Sequence, residues 1–506
     1  MTLGLATTIV LLYRLTVTAS TLRVPGEFAT IRSAIRASVD GDVVLIDPGT
    51  YLEAELDFGG REIVVQGTEP TDSSVVANTV VDGMRVGSIF VLDDGEGPLT
   101  ALAGLTLRGG LQGGGGAIYL SGSHARITHC VLSDNVAGDG GALRLVDGAS
   151  SRVSHCRFER NSSNDGHGGA ISIVASRIQL DRCVFSDNHS AETGGALYAR
   201  NASVTTEGSR FVGNTADDAG GHLRLDGGEH VLQSSVFEEG RSGGSGAAVS
   251  LRSAGLKVEN SWMTGNVAAL EGGAIALHDA AADLELIHTT LRSNRSHVDA
   301  GGALFSAGIA RVDNSILWQN GESQLATSAN GTIEVGHALI QGGWPGVRVI
   351  TDNPQFASGE GFHLGASSPA LDAGDPRRGL DVDLEGQPRP SGAGFDLGAD
   401  EVQGLAASAP PTTKNSAFML RAAPNPFNPR TRLSFTVEAK ARVQLTIHDT
   451  SGHRLTSLRK CVLSAGTHTV PWNGKDAEGR TVASGIYIAR LQVNHEATTR
   501  PLLIVK

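Results

Sequence analysis

The stretch that decides the fold begins Gly140-Gly141-Ala142-Leu143 and ends Phe158-Glu159-Arg160-Asn161. Its two halves return along the chain. The first half, Gly-Gly-Ala and an aliphatic residue, recurs at 115–118, 168–171, 194–197, 272–275 and 301–304, with degenerate copies at 220–223 and 246–249. The second half, an apolar residue three positions before Asn, stays in register with the first at spacings of 26 to 28 residues. Chance does not produce eight copies in register.

A period of this size admits several architectures, and the pattern inside each unit chooses between them. Each unit contains short alternating apolar and polar runs, such as Arg126 to Leu132, bounded by Gly, Asn, Asp or Ser. About 26 residues suits one coil of a parallel β-solenoid, whereas a propeller blade usually needs about 40. We therefore predict an all-β chain dominated by a single-stranded parallel β-helix of about twelve coils, each with three short strands.

Stacking of the coils assigns a role to each column of equivalent residues. Apolar residues three positions before each Asn should face inward and form a continuous dry core, from Leu132 through Phe158, Phe185, Phe211 and Phe237 to Leu317. The Asn column should lie in turns, because Asn tolerates a left-handed backbone and its amide can bond to copies above and below. This predicted ladder comprises Asn135, Asn161, Asn188, Asn214, Asn266, Asn294 and Asn320.

Three cysteines occupy a further column, two residues before the apolar one: Cys130, Cys156 and Cys183. Parallel Cβ directions disfavour a disulfide between adjacent coils, and three thiols cannot all pair. We expect buried free thiols here. No Cys-x-x-Cys spacing indicates zinc, and we predict no metal and no cofactor.

Composition and charge exclude several classes of protein. With 66 Gly in 506 residues and 5% aromatics, the chain cannot be a helical bundle, and no Gly-X-Y period indicates collagen. The net charge of −12 and the absence of a basic run argue against a nucleic-acid partner. The apolar run Leu3 to Tyr13, followed by Val17-Thr18-Ala19, predicts a signal peptide over residues 1–19. A misplaced start or a buried first strand is the alternative. We expect no transmembrane segment.

At the N-terminal end of the solenoid, Thr30 to Val39 predicts a short helix across the mouth of the first coil, with Thr30 as N-cap. Here the chain resembles known families. Val24-Pro25-Gly26 through Tyr51 looks like the opening of bacterial right-handed β-helix proteins of the pectin-lyase-like superfamily. The Gly-Gly-Ala-Ile and Phe-x-x-Asn halves resemble the repeats of polymorphic outer membrane proteins, which are surface-exposed and implicated in adhesion. The resemblance implies a right-handed β-helix over residues 20–345.

Two later segments carry further resemblances. Residues 346–403, on Asn353-Pro354-Gln355-Phe356 and Ser368 to Gly374, resemble the choice-of-anchor Q segment that follows such helices. Residues 404–417 have linker composition, and about seven half-buried strands in residues 418–506 predict a small Ig-like β-sandwich. On Pro424 to Pro429 and Trp472-Asn473-Gly474 this domain resembles FlgD-like immunoglobulin tails and type A sorting domains of type IX secretion. The resemblance implies that outer-membrane export machinery is a partner. A stalk without an export role is the alternative.

The superfamily contains polysaccharide lyases and glycosidases, so the resemblance also admits an enzyme. Lys257 is the single lysine of the solenoid, and the sequence around it shows no acidic cluster. The coil from His222 to Gly240 is the better candidate, because His replaces the corner Ala and Gly replaces the ladder Asn. Its candidate acid/base or metal-binding residues are His222, His230, Glu238 and Glu239. The alternative is that the repeat has decayed in this coil and that these are ordinary polar residues of the surface.

We expect a secreted or cell-surface protein that acts by binding, as an adhesin or a carbohydrate-contacting protein. Its expected partner is an extracellular glycan or a ligand on a host or other cell surface. The alternative is a polysaccharide lyase or glycoside hydrolase, and calcium enters only if the protein is a lyase. A purely structural surface component is the second alternative.

Overall fold

The computed structural model describes residues 19–357 and 361–403 and, with short gaps, residues 421–504. The chain divides into two units, Met1–Ala406 and Ala407–Lys506. The predicted linker and all but the last residue of the predicted signal peptide lie outside the described residues. Among the described residues, no helix is long and apolar enough to cross a membrane.

The first unit is a parallel β-solenoid of about twelve coils, as predicted. Its strands stack into three faces, here called A, B and C. Face A comprises Thr21–Val24, Val43–Ile46, Val64–Gly67, Ala101–Ala103, His124–Thr128, Ser150–Ser154, Arg177–Asp181, Ser203–Glu207, the second halves of Leu223–Gln233 and Val249–Glu259, Asp283–Ile287, Ile309–Asp313 and the start of Thr332–Ile340.

Faces B and C complete each coil. Face B comprises Gly49–Leu52, Thr79–Asp82, Thr106–Arg108, Val131–Ser133, Arg157–Glu159, Val184–Ser186, Arg210–Val212, Val236–Glu238, Trp262–Thr264, Thr290–Arg292, Ile316–Trp318 and the end of Thr332–Ile340, beside Val347–Ile350. Face C comprises Leu56–Asp57, Phe90–Leu92, Ile118–Ser121, Leu143–Val146, Ile171–Val174, Leu197–Arg200, the first halves of Leu223–Gln233 and Val249–Glu259, Ile275–Leu277, Leu304–Ser306 and Leu325–Thr327.

A fourth sheet of eight very short strands was not predicted. It lies between faces B and C, just before the glycine corner of each coil. Its strands are too short for an alternating pattern to show in the sequence. They are Leu111–Gly114, Val136–Asp139, Ser162–Ser163, His189–Ser190, Thr215–Ala216, Arg241–Ser242, Val267–Ala268 and Arg295–Ser296.

The predicted inward column forms the centre of the core. Phe158, Phe185, Phe211 and Phe237 are fully buried, and successive rings stack at 4.7, 4.7 and 4.8 Å, nearly parallel. This separation is the spacing of neighbouring strands, so the sheet itself sets the ring stacking.

The asparagines do not take the left-handed turn conformation that we expected. The residue before each Asn takes it instead, for example Asp134, Arg160 and Asp187, with φ of 57°, 51° and 55°. The Asn side chain must point inward, so the left-handed position falls on the preceding, outward-facing residue.

Helices protect the start of the solenoid. The first helix, Ile31–Ala37, has Thr30 as N-cap, and it buries Ile31, Ala34 and Ile35 against the core of the first coils. A second short helix, Ser73–Asn78, is capped by Asp72.

Residues 352–403, here called the closing segment, have one short 3-10 helix, Pro376–Arg378, and no strand among the described residues. They pack along the side of the last coils. Backbone amides of Asp375 and Ala399 donate to Asn314 Oδ1 and Thr290 Oγ1, at 2.6 and 2.9 Å. The segment therefore adds a wall to the side of the solenoid.

The second unit has seven described strands in two antiparallel sheets, as predicted for a small sandwich. One sheet comprises Arg421–Ala423, Thr431–Val437 and Gly466–Trp472. The other comprises Ala441–His448, Arg454–Leu463, Gly485–Val493 and Glu496–Ile504. Leu433, Val443 and Trp472 are in the core between the sheets.

Candidate functional site

A groove of about 760 Å³ runs along face A beside the closing segment, and we call it the Lys257 groove. Three cations line it, Lys257 and Arg311 from the solenoid and Arg378 from the closing segment. Carboxylates from two coils line it as well: Glu229 from one coil, and Asp283 and Glu285 from another.

The strand register builds this groove. Lys257 pairs in register with Glu285, Glu285 with Arg311, and Arg311 with Glu334, so opposite charges alternate along one outward column. The prediction that no acidic cluster surrounds Lys257 was therefore wrong. Glu259 is two residues from Lys257, but Glu285 comes from the next coil, and a local inspection of the sequence does not reveal it.

Each cation of the groove already has a carboxylate partner. Lys257 Nζ lies 2.6 Å from Glu259 Oε1, and Arg311 Nη1 lies 2.8 Å from Asp283 Oδ1. Arg378 Nη1 lies 2.6 Å from Glu285 Oε1, which ties the closing segment to face A. The groove thus presents neutralised pairs of charged groups.

His230, one of the predicted site residues, lies in the floor of this groove but is buried. The Val204 amide donates to its Nδ1 at 3.3 Å, and its Nε2 donates to the Gly227 carbonyl at 3.1 Å. Burial lowers the pKa of His230 to about 4. Both ring nitrogens are engaged and the ring is neutral near pH 7, so His230 fits a structural role better than acid/base catalysis.

His222 lies inside the solenoid. Its Nδ1 accepts a hydrogen bond from Asn214 Nδ2 at 3.0 Å, and burial lowers the pKa of the ring to about 3. A Cβ atom at Gly240 would lie 2.7 Å from two atoms of this ring. His222 therefore fills the space that a ladder Asn at position 240 would occupy.

The two glutamates of the same coil lie on face B. Glu238 accepts a hydrogen bond from Arg210 Nε at 3.0 Å, and Glu239 is an exposed turn residue with φ of 57°. The structure therefore places His222 in the interior, His230 beneath face A, Glu238 on face B and Glu239 in the turn that follows it. The four predicted residues do not share one cleft.

The seven ladder asparagines are buried and hydrogen-bonded from coil to coil. In Asn161, the backbone N–H and Nδ2 both donate to Asn188 Oδ1 at 3.0 Å, and Nδ2 also donates to the Leu132 carbonyl at 2.9 Å. After Asn320, the side chain of Gln324 replaces the next Asn as acceptor.

The cysteines belong to a second ladder that was not predicted. Cys130, Cys156 and Cys183 are buried free thiols, and the Cys130 amide donates to Cys156 Sγ at 3.4 Å. The column continues as serines, since the Cys183 amide donates to Ser209 Oγ at 3.2 Å. The sequence signal that could have revealed this ladder is the Ser that recurs two residues before the apolar column.

One group of described carboxylates could approach a cation: Asp57, Asp94 and Glu96 have oxygens within 4.8 Å of one another. Both oxygens of buried Glu96 already accept hydrogen bonds, from the Gly60 amide and Ser123 Oγ, each at 2.9 Å. Hydrogen bonds within the protein thus already engage both oxygens of the Glu96 carboxylate.

Comparison with known proteins supports the fold of both units. The family model for the right handed beta helix region matches residues 70–229 and 116–295. The first unit is a right-handed β-helix. The family model for the FlgD Ig-like domain matches residues 425–496, within the second unit of this β-helix protein.

No curated protein matches the chain. Among solved structures, the β-helix protein is similar to the PL6 family alginate lyase AlyGC at 14% identity, with a TM-score of 0.42, over 66% of this chain and 50% of that one. A mutant of the same lyase is similar at 14% identity, with a TM-score of 0.44, over 76% of this chain and 58% of that one. The Siphovirus 9NA tailspike receptor binding domain is similar at 10% identity, with a TM-score of 0.21, over 95% of this chain and 98% of that one. The chain thus spans about half of the lyase.

Proposed function

We propose that the protein is a secreted or cell-surface β-helix that binds a neutral glycan chain in the Lys257 groove. The observation that carries the proposal is the column of alternating ammonium, carboxylate and guanidinium groups on face A. Sugar hydroxyls donate to carboxylates and accept from cations, so this column offers partners to successive sugar residues. The five coils from Ser203 to Arg311 span about 19 Å along the axis, which suits an extended chain.

The pairing of charges favours a neutral polymer over a polyuronate. Lys257, Arg311 and Arg378 each contact a carboxylate of the protein. A uronate would have to displace these carboxylates or lie beside them, and like charges placed close together repel. A hydroxyl bridges an existing ion pair without disturbing it.

A polysaccharide lyase or glycoside hydrolase is the second candidate, and one observation favours it. Lys257 has carboxylates from two coils beside it, Glu259 by ion pairing and Glu285 by register. Elimination from a uronate needs a base and a positive group near the substrate carboxylate, which Lys257 and Arg311 would supply. Calcium would enter only in this case.

The C-terminal domain would act in export. The FlgD Ig-like match over residues 425–496 supports a domain of this class behind the β-helix. Within this proposal its partner is outer-membrane export machinery, and the alternative remains a stalk that holds the β-helix away from a surface.

Retention of the full chain on immobilised polysaccharides tests the binding proposal. The panel includes neutral glucans and xylans and acidic alginate and polygalacturonate, with and without calcium. We expect binding to a neutral polymer, weakened at least about fivefold by Lys257→Ala, because a charged hydrogen-bonding group is lost. Arg157→Ala is the matched control, since Arg157 also pairs with a Glu two residues later but lies on face B.

The same samples are followed for reducing ends and for the ultraviolet absorbance of unsaturated products. A signal on any polymer would replace binding by the enzyme candidate. Failure to bind every polymer, with no product formed, would leave a structural role. Equal binding by Lys257→Ala and the wild type would show that glycan contacts lie elsewhere.

A further inference from the structure

The two units differ in charge, which the net charge of the whole chain conceals. Residues 407–506 carry 14 Lys and Arg against 5 Asp and Glu, whereas residues 1–406 carry 27 against 48. The smaller unit is thus basic and the larger one strongly acidic. A basic domain on an acidic protein indicates a function for the positive charge, because solubility does not require it.

A pocket of about 880 Å³ in the C-terminal domain collects part of this charge, and we call it the basic pocket. Arg430 and Arg432, two residues apart, lie on one side, and Lys475 lies on the turn after Trp472. Within the described part of this domain, none of these three side chains has an ion-pair partner. The cations of the Lys257 groove, by contrast, are all paired.

The turn that carries Lys475 is held in place. Trp472 Nε1 donates to the Lys475 carbonyl at 3.0 Å, and the Ala477 amide donates to the Leu455 carbonyl at 2.9 Å. Asp476, the one described acid that lines the pocket, forms an ion pair with Arg480 at 2.8 Å. The pocket is therefore preorganised, and its acid is already neutralised.

The remainder of the lining is partly apolar. Leu458, Pro471 and Ala477 line the pocket beside the cations. Guanidinium groups match carboxylate and phosphate oxygens with two parallel hydrogen bonds, and an ammonium adds a third contact. A ligand that fits this lining joins an anionic group to an apolar part.

We propose that the basic pocket binds an organic anion, with its phosphate or carboxylate at Arg430, Arg432 and Lys475 and its apolar part on Leu458 and Pro471. This site is separate from the Lys257 groove, and glycan binding there does not depend on it. The anion can be a free molecule or the phosphate of a lipid headgroup, since both present the same oxygens.

Calorimetric titration of the full chain with small probes tests the site. Phenyl phosphate and benzoate carry the two anionic groups, inorganic phosphate lacks the apolar part, and benzyl alcohol lacks the charge. We expect saturable binding of at least one aromatic anion, weaker binding of inorganic phosphate and none of benzyl alcohol. The triple variant Arg430→Gln/Arg432→Gln/Lys475→Gln should lose at least about tenfold in affinity, because charge-assisted hydrogen bonds are removed.

The matched control removes three other exposed cations of the same domain, as Lys440→Gln/Lys460→Gln/Arg500→Gln, and should bind within about twofold of the wild type. Arg432→Gln alone is the second variant if the triple variant loses its fold. A second arm measures sedimentation with phosphatidylglycerol and phosphatidylcholine vesicles. Binding of phosphatidylglycerol vesicles that fails in the triple variant identifies a lipid source, and binding of small probes alone identifies a free ligand.

Two results would overturn the proposal. In the first, no probe and no vesicle binds the wild type at low salt. In the second, the triple variant and the control variant lose affinity equally, which would assign binding to the general charge of the domain.

Discussion

Among single residues, the coil from His222 to Gly240 departs from the repeat at two positions, and each departure compensates for the other. A ladder Asn is missing at Gly240, and a His stands at position 222 where other coils have Ala. The His222 ring accepts the hydrogen bond from Asn214 that the missing Asn would have accepted, and the Gly240 amide donates to Asn266 Oδ1 at 2.9 Å. Two departures from the repeat therefore form one structural solution.

This exchange predicts strong coupling between the two positions. His222→Ala should cost about 2–4 kcal/mol, because it leaves a cavity and an unpaired Asn214 amide. Gly240→Asn alone should also destabilise, because its side chain collides with the ring. The double variant should recover part of the loss, because the ring is gone but a Cβ at position 240 still lies 2.6 Å from the Ala247 carbonyl. Urea unfolding of all four proteins measures the recovery. Additive effects would contradict the compensation.

Buried histidines also predict a pH dependence of stability. Burial lowers the pKa of His222 to about 3 and that of His230 to about 4, from an ordinary value of 6.5. Below pH 6.5 the unfolded chain takes up protons that the folded chain refuses, so stability should fall from pH 6.5 towards pH 4. Each such histidine contributes up to about 1.4 kcal/mol per pH unit.

The double variant that lacks His222 provides the comparison. Its free energy of unfolding should fall less between pH 7 and pH 5 than that of the wild type. An equal fall in both proteins would mean that other groups cause the acid sensitivity.

At the scale of elements, the ladders hold the coils together where the turns leave backbone groups unpaired. Asn188 illustrates this, since its Oδ1 accepts two hydrogen bonds from Asn161 and its Nδ2 donates to the Phe158 carbonyl at 2.9 Å. All of these groups are buried, so none can bond to water instead.

We therefore predict that Asn188→Ala lowers the free energy of unfolding by about 2–4 kcal/mol, because buried donors and an acceptor lose their partners. Asn164→Ala, at an exposed turn position, is the control and should change it by less than about 0.5 kcal/mol. Urea unfolding followed by circular dichroism measures both. Equal, small effects would show that the ladder is dispensable.

At the scale of the whole molecule, one buried arginine organises the closing segment. The Arg389 side chain is 0% exposed and lies 3.4 Å from Glu401, which is 1% exposed. It also donates to the Gly398 and Asp396 carbonyls, at 2.8 and 3.2 Å. This cluster lies against the last coils, where the segment forms one wall of the Lys257 groove.

Arg389→Met should leave the Glu401 carboxylate buried without its partner and cost about 3–5 kcal/mol locally. We expect faster hydrogen exchange in residues 361–403 with little change in the early coils, measured by mass spectrometry. Unchanged exchange in the closing segment would show that its apolar contacts suffice. Arg377→Met is the control, because its side chain is 83% exposed.

The β-helix, its core column, the N-terminal helix and the C-terminal sandwich were all predictable from the sequence, because each rests on a short period that local sequence carries. The asparagine ladder was predicted as well, whereas only the three cysteines of the second ladder were recognised as a column. The repeat cannot reveal what a column of outward residues does, since neighbours in that column are about 26 residues apart and need no common identity. Hence the charges around Lys257 were missed. The role of His222 was missed because only the fold brings its ring beside Gly240, at the far end of the same coil.

The position of the two proposed binding surfaces depends on the tertiary structure. Stacking brought Lys257, Glu285 and Arg311 into one column, and the side-docked closing segment added Arg378 as a wall. Folding of the sandwich placed Arg430, Arg432 and Lys475 around one pocket. The net charge of −12 is the sum over two units whose net charges have opposite signs. A fold follows from periodic burial, whereas a site follows from the few side chains that register and docking bring together.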